Sequence, residues 1–201
     1  MIRLLIADDQ ALVRGALSAL LGLEHDIEVV AEVGRGDEVV AAAVEARADV
    51  ALLDIEMPGM DGIAAAGALR SALPSCRVLI VTTFGRPGYL ARAMRSGASG
   101  FVVKDTPAAQ LADAVRRVAQ GLRVVDPALA ADSLAQGASP LTERETDVLA
   151  AARTGGSIAD IAQMLHLSEG TVRNHLSSAI GKTEGRNRAD AARIADENGW
   201  L

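Results

Sequence analysis

Three aspartates stand where short apolar runs end: Asp8 and Asp9 after Ile2–Ala7, and Asp54 after Val50–Leu53. Brought to one point, three unpaired carboxylates repel one another. A hard divalent cation relieves that repulsion, and Mg²⁺ takes one or two carboxylates together with waters and a phosphoryl oxygen. Two more polar groups end runs of the same kind: Thr82 after Arg77–Val81, and Lys104 after Gly100–Val103. A nucleophilic carboxylate, a cation, a hydroxyl and an ammonium are the parts of a phosphoryl-transfer site, to which a protein contributes mainly placed charge. Singly, each has a plainer reading. An Asp after a strand commonly lines a solvated turn or caps a helix, and Lys104 could be a surface charge. Their shared position at run ends favours the site. So does the scarcity of lysine, which occurs at positions 104 and 182 alone, because an ammonium is a compact point charge where arginine is a broad fork.

The elements that must position these groups follow from the apolar pattern. Ile2–Ala7, Ile27–Val33, Val50–Leu53, Arg77–Val81 and Gly100–Val103 are short and rich in β-branched residues, as strands buried on both faces are. Helical stretches at 11–22, 36–47, 62–72, 87–96 and 107–120 separate or follow them, the last with Leu111, Val115 and Val118 at helical spacing and Pro107 suited to its first turn. The alternation predicts an α/β doubly wound, five-stranded parallel sheet over residues 1–120. Ligands of such sheets bind at the carboxyl ends of strands, where the five groups fall. Residues 121–139, punctuated by Gly121, Pro127 and Gly137, read as a linker with one short helix at 127–135. Residues 140–201 show no strand pattern and read as an all-α domain with helices at 142–154, 158–165, 169–183 and 187–198. Thr142 with Glu145 fits a capping box, and Ser168 fits an N-cap.

The third of those helices carries the second chemistry. Val172, Leu176, Ala179 and Ile180 fall on one face, with Arg173, Asn174, Ser177 and Gly181 opposite. Arg reads guanine and Asn reads adenine when a helix lies in the major groove. A helical hairpin with a solvated face has the same pattern. The net charge of −6 argues against a strongly basic nucleic-acid binder, so a DNA reading rests on residues 170–193, where five cations face only Glu184 and Asp190. Half the residues are hydrophobic, which excludes a disordered chain. Cys76 is the only cysteine, the start of the chain reaches Asp8 and Asp9 too soon for a signal peptide, and no run of 18 apolar residues occurs. Together these predict a soluble cytoplasmic protein without membrane insertion. No Walker-type glycine-rich lysine loop is present, and Asp8-Asp9 lacks the Asp-x-Asp spacing of haloacid dehalogenase-type phosphatases, which disfavours a phosphotransferase or phosphatase.

Longer motifs make the pattern specific. Leu-Ile-Ala-Asp8-Asp9-Gln, Leu53-Asp54-Ile-Glu-Met57-Pro58-Gly-Met-Asp-Gly62, Val81-Thr82-Thr and Gly97-Ala-Ser-Gly-Phe101-Val-Val-Lys104 resemble the receivers of two-component response regulators. That resemblance implies that Asp54 is the phosphoacceptor for a sensor histidine kinase. It implies Mg²⁺ ligation by Asp9, Asp54 and the Glu56 carbonyl with Asp8 assisting through water, a phosphoryl contact from Lys104, and a switch pair in which Thr82 moves toward the phosphoryl oxygens and Phe101 turns inward. Glu56 and Phe84 fall where receivers tune the life of the phosphoaspartate, and a bulky Phe84 is expected to shield the bond from water. Lys104 is followed by Asp105, where many receivers have Pro. Pro140-Leu-Thr142-Glu-Arg-Glu145, Ile158-Ala-x-Ile-Ala, Leu167-Ser-Glu-Gly-Thr171-Val-Arg173-Asn174-His175-Leu and Asn187-Arg-Ala-Asp-Ala191 are similar to LuxR-type DNA-binding domains. With the receiver, they identify the chain as a member of the NarL/FixJ family. Membership implies a non-enzymatic transcription factor that dimerises on phosphorylation and binds double-stranded promoter DNA. Arg173, Asn174 and Ser177 would enter the major groove, with Thr171, His175 and Lys182 on phosphates and the last helix supporting dimerisation. Gly181, and Thr183 in place of a large apolar residue, are expected to loosen the end of the recognition helix. Within the family, Asp54-Ile-Glu-Met-Pro and Thr82–Tyr89 resemble regulators of fatty-acid desaturase expression.

Overall fold

A computed structural model of the chain describes residues 1–83, 87–136, 139–153 and 155–201, with the backbone alone at 87 and 132–136. The chain divides into two compact units, the first drawn chiefly from residues 1–131 and the second chiefly from 132–201. In the first, strands β1 (Ile2–Ala7), β2 (Ile27–Val33), β3 (Val50–Asp54), β4 (Arg77–Thr82) and β5 (Gly100–Val103) alternate with helices α1 (Ala11–Leu21), α2 (Val39–Glu45), α3 (Gly62–Ala72), α4 (Pro87–Ser96) and α5 (Ala108–Ala119). The sheet is parallel throughout, in the order β2-β1-β3-β4-β5-β6. The chain therefore steps outward from β1 to β2 and returns past it to β3, which makes the carboxyl ends of β1 and β3 the switch point of the winding. All five residues of β3 are buried, and Leu4, Leu5 and Ile6 of β1 are fully so. A central strand covered on both faces has no place for alternation, which is why these runs read as continuously apolar. Each buried Leu or Ile contributes about 1.5–3 kcal/mol of burial free energy, and the strands are fixed accordingly. On the α5 side, Leu111, Ala112, Val115 and Val118 pack against Leu52, Leu79 and Val102.

Two details differ from the sequence reading. A sixth strand, β6 (Val124–Val125), adds to the free edge of β5 with Gly100 level with Val124 and Phe101 level with Val125. It lies in the stretch read as linker, and two residues are too few to show any period. The stretch 36–47 is likewise not one helix: a 3₁₀ turn at Gly36–Glu38 precedes α2. Helix α6 (Pro127–Gln136) starts where the linker helix was expected, with Asp126 accepting from the backbone N–H groups of Ala128 and Leu129.

The second unit holds α7 (Glu143–Ala152), α8 (Ile158–Leu165), α9 (Glu169–Thr183) and α10 (Arg188–Glu197). Val148, Leu149, Ile161, Val172, Leu176, Ala179, Ala191 and Ala195 form its core, with Trp200 packed against it. The Thr142–Glu145 capping box and the Ser168 N-cap are both present, and Ser157 with Asp160 forms a second capping box at the start of α8. Helix α9 runs unbroken to Thr183. That hydroxyl is buried and donates to the carbonyls of Ala179 and Ile180, so a polar side chain fills the expected apolar position with its hydrogen-bonding group satisfied.

Candidate functional sites

Register assembles the first site. Ala7 is level with Leu53, Asp54 with Val81, and Thr82 with Val103. Asp8, Asp54, Thr82 and Lys104 consequently emerge side by side at the carboxyl edge of four neighbouring strands. Asp8, Asp54 and Thr82 are buried, and Asp9 is exposed. The Lys104 ammonium lies 2.7 Å from Asp8 Oδ2 and 2.9 Å from Asp54 Oδ2. The second oxygen of each carboxylate accepts a backbone N–H, from Gln10 for Asp8 and from Ile55 for Asp54. Lys104 is itself anchored, its N–H donating to the Thr82 carbonyl at 2.8 Å.

The backbone beneath Asp54 is equally constrained. The Gly62 N–H donates to the Ile55 carbonyl, and a Cβ at Gly62 would lie only 1.9 Å from the Asp54 carbonyl oxygen. Helix α3 can thus begin directly under the site only with glycine there. Gly59, with φ of +80°, turns the intervening loop through a conformation that suits glycine.

The electrostatics follow from burial. Desolvation pushes the Asp54 carboxyl above the usual carboxylate range; Lys104 offsets part of that rise, and the neighbouring Asp8 adds to it. Burial also works against the charged form of Lys104, but its hydrogen bonds to Asp8 and Asp54 outweigh this and raise its pKa. One oxygen from each of Asp8, Asp9 and Asp54 lies within 4.8 Å of the other two. Three hard oxygen donors so close together, one of them open to solvent, fit Mg²⁺. Phe101 is already fully buried in β5, so the inward turn expected of it needs no movement from this state, and Glu56 is exposed two residues beyond Asp54. Phe84 lies outside the described residues.

The second site is the solvent face of α9. Arg173, Asn174, Ser177 and Gly181 are exposed, Thr171 and His175 half-buried, and Val172, Leu176 and Ala179 turned into the core. Arg173 pairs with Glu169 one turn earlier at 2.9 Å, both side chains more than half exposed. Such a pair is worth little and exchanges readily for another acceptor. The cations of residues 170–193 are not a free basic stripe. Arg186 and Arg193 share Asp190, and Arg193 also holds Glu197.

Lys182 is engaged as well. Its ammonium lies 2.7 Å from Oε2 of Glu145, a buried carboxylate that also accepts from Ser178 Oγ at 2.6 Å and from the Thr142 N–H at 2.7 Å. Burial pushes the Glu145 carboxyl upward, but these donors hold it down at about 2. The sequence showed Glu145 only as a cap and left Ser178 unremarked. Its one signal for this cluster was the second of only two lysines on an arginine-rich chain.

Comparison with known proteins bears on both sites. Residues 4–116 match the response regulator receiver domain, and residues 139–195 match the bacterial regulatory proteins of the luxR family. The chain is 43% identical to the transcriptional regulatory protein YvfU and 42% identical to the transcriptional regulatory protein DesR, both of Bacillus subtilis strain 168, each over 201 residues and the full length of both chains. Among solved structures, it is similar to the response regulator ChrA of a heme-sensing two-component system, at 33% identity and a TM-score of 0.59, covering 100% of this chain and 98% of that one.

Proposed function

The chain belongs to the response regulators that join a receiver to a luxR-family DNA-binding domain, and on that premise we propose that it is a transcription factor switched by phosphorylation of Asp54. The donor is the phosphohistidine of a sensor histidine kinase. An Asp54 carboxylate oxygen forms the new O–P bond as the P–N bond breaks, and the electron pair returns to the imidazole. Asp9, Asp54 and the Glu56 carbonyl, with Asp8 assisting, would hold Mg²⁺, which when bound would neutralise charge on the phosphoryl group. Lys104 gives up its contact with Asp54 Oδ2 for a phosphoryl oxygen, the Thr82 hydroxyl donates to another, and Phe101 keeps its inward place. The observation that carries this reading is the single ammonium shared by two buried carboxylates at the sheet's switch point.

Residues 1–120 act as receiver, 121–139 as the joining segment and 140–201 as the DNA-binding domain. Phosphorylation favours a homodimer, supported by α10, that brings two α9 helices to half-sites about one DNA turn apart. Arg173, Asn174 and Ser177 face bases, and Thr171 and His175 face phosphates. The protein works in the cytoplasm and turns over no substrate. Among the described residues no helix is long and apolar enough to cross a membrane. Genes of lipid desaturation are the assigned targets, on the resemblance of the Asp54 and Thr82–Tyr89 runs to regulators of desaturase expression.

The direct test of the acceptor is intact mass after incubation with acetyl phosphate and Mg²⁺. One phosphoryl group is expected on the wild-type chain and none on Asp54→Ala. Equal labelling of both would refute the assignment.

A further inference from the structure

We propose that Lys182 is a positioning residue for the recognition helix, with the Glu145 carboxylate and not a DNA phosphate as its working partner. The inference rests on the DNA-binding reading above and reassigns the one lysine that the family resemblance places on a phosphate. Glu145 belongs to the capping box that opens α7, where its N–H meets Thr142 Oγ1 and its Oε2 accepts the Thr142 N–H. The same carboxylate extends across to α9, where Ser178 takes Oε1 and Lys182 takes Oε2. Ser178 and Lys182 are one turn apart, so two successive turns of α9 are held on one buried anion.

Charge balance argues that the ammonium is committed. The Glu145 side chain is only 6% exposed and Lys182 is its sole cationic partner among the described residues, whereas Lys182 itself is 36% exposed. A buried carboxylate that loses its cation costs far more than an exposed lysine that loses a phosphate. Lys182 moving to DNA would leave Glu145 with neutral donors only. The second lysine of the chain thus does for α9 what Lys104 does for the acidic cluster: a compact ammonium neutralises a buried carboxylate and fixes the element beside it.

Phosphate contact and positioning separate in a salt titration. The probe is a duplex recovered by the wild-type chain from a random-sequence pool, with acetyl phosphate and Mg²⁺ in every arm. A lysine on a phosphate contributes roughly 0.9 to the slope of log affinity against log salt. For Lys182→Met we expect an affinity loss on the order of tenfold or more with the slope unchanged, because an unpaired buried carboxylate disturbs the helix that carries the contacts. Glu145→Gln retains a capping residue and removes the charge, so the double variant Lys182→Met, Glu145→Gln should recover most of the lost affinity. Trp200 fluorescence during urea unfolding reports whether each variant folds. If Lys182→Met alone unfolds the second unit, recovery of folding in the double variant supports the pairing in the same way. A slope reduced by about one lysine's share, or a double variant that restores neither folding nor affinity, overturns the proposal. A wild-type chain that recovers no duplex refutes DNA binding itself, and this inference with it.

Discussion

At the scale of single residues, the chain spends both of its lysines on buried carboxylates, Lys104 on Asp8 and Asp54 and Lys182 on Glu145. Arg173, by contrast, pairs with Glu169 where both side chains are more than half exposed. An ammonium fits between two carboxylate oxygens where a planar fork does not. Lys104→Met should leave Asp8 and Asp54 unbalanced and cost the receiver roughly 3 kcal/mol in EDTA. Mg²⁺ should return much of that loss, since a divalent cation can replace the missing charge. Urea unfolding with EDTA and with Mg²⁺ measures it, and a Mg²⁺ effect no larger than in wild type would contradict the assignment. Glu145 adds a pH dependence of definite sign. Its folded pKa of about 2 lies below the ordinary 4.5, so its stabilisation is fully present above pH 4.5 and is lost as pH falls toward 2. Acid unfolding followed at Trp200 should show that loss, and Glu145→Gln should flatten the profile over that interval. An identical acid limb in the two proteins would argue that the carboxylate is not held as described.

At the scale of elements, α9 combines a buried apolar face with an open glycine. Gly181 is exposed, and a Cβ there would meet nothing within 4 Å. Gly181→Ala should therefore stabilise the second unit by about 0.5–1 kcal/mol through helix propensity alone, read as a higher urea midpoint at Trp200. A lower midpoint would mean that the glycine serves a contact or conformation which alanine spoils. How far such elements can be read from sequence depends on their length and on the range of their contacts. The strands β1, β3, β4 and β5 were legible because full burial leaves continuous apolar runs, and the site was legible because its groups end those runs. Capping residues were legible because a Thr and a Glu three apart interact locally. Strand β6 was not, because Val124 and Val125 become a strand only by pairing with β5. The Glu145–Lys182 pair was not either, since nothing local links residues in different helices. The same limit applied to the basic patch: a count of charges along 170–193 could not show that Asp190 holds two of its arginines.

At the scale of the whole molecule, a net charge of −6 works against approach to DNA. With Arg186, Arg193 and Lys182 already paired within the protein, one recognition helix offers little free positive charge. In the proposed account two α9 helices therefore engage DNA together, and dimerisation is the step through which Asp54 would govern binding. The most direct measurement is a DNA-shift titration on a duplex selected by the wild-type chain, with and without acetyl phosphate and Mg²⁺, for wild type and Asp54→Ala. We expect the phosphodonor to tighten binding by wild type by about 5- to 150-fold, as coupling of about 1–3 kcal/mol implies, and to leave Asp54→Ala at its unphosphorylated affinity. Equal affinity in all four arms would contradict the switch, and an equal gain in both proteins would place the phosphoacceptor elsewhere.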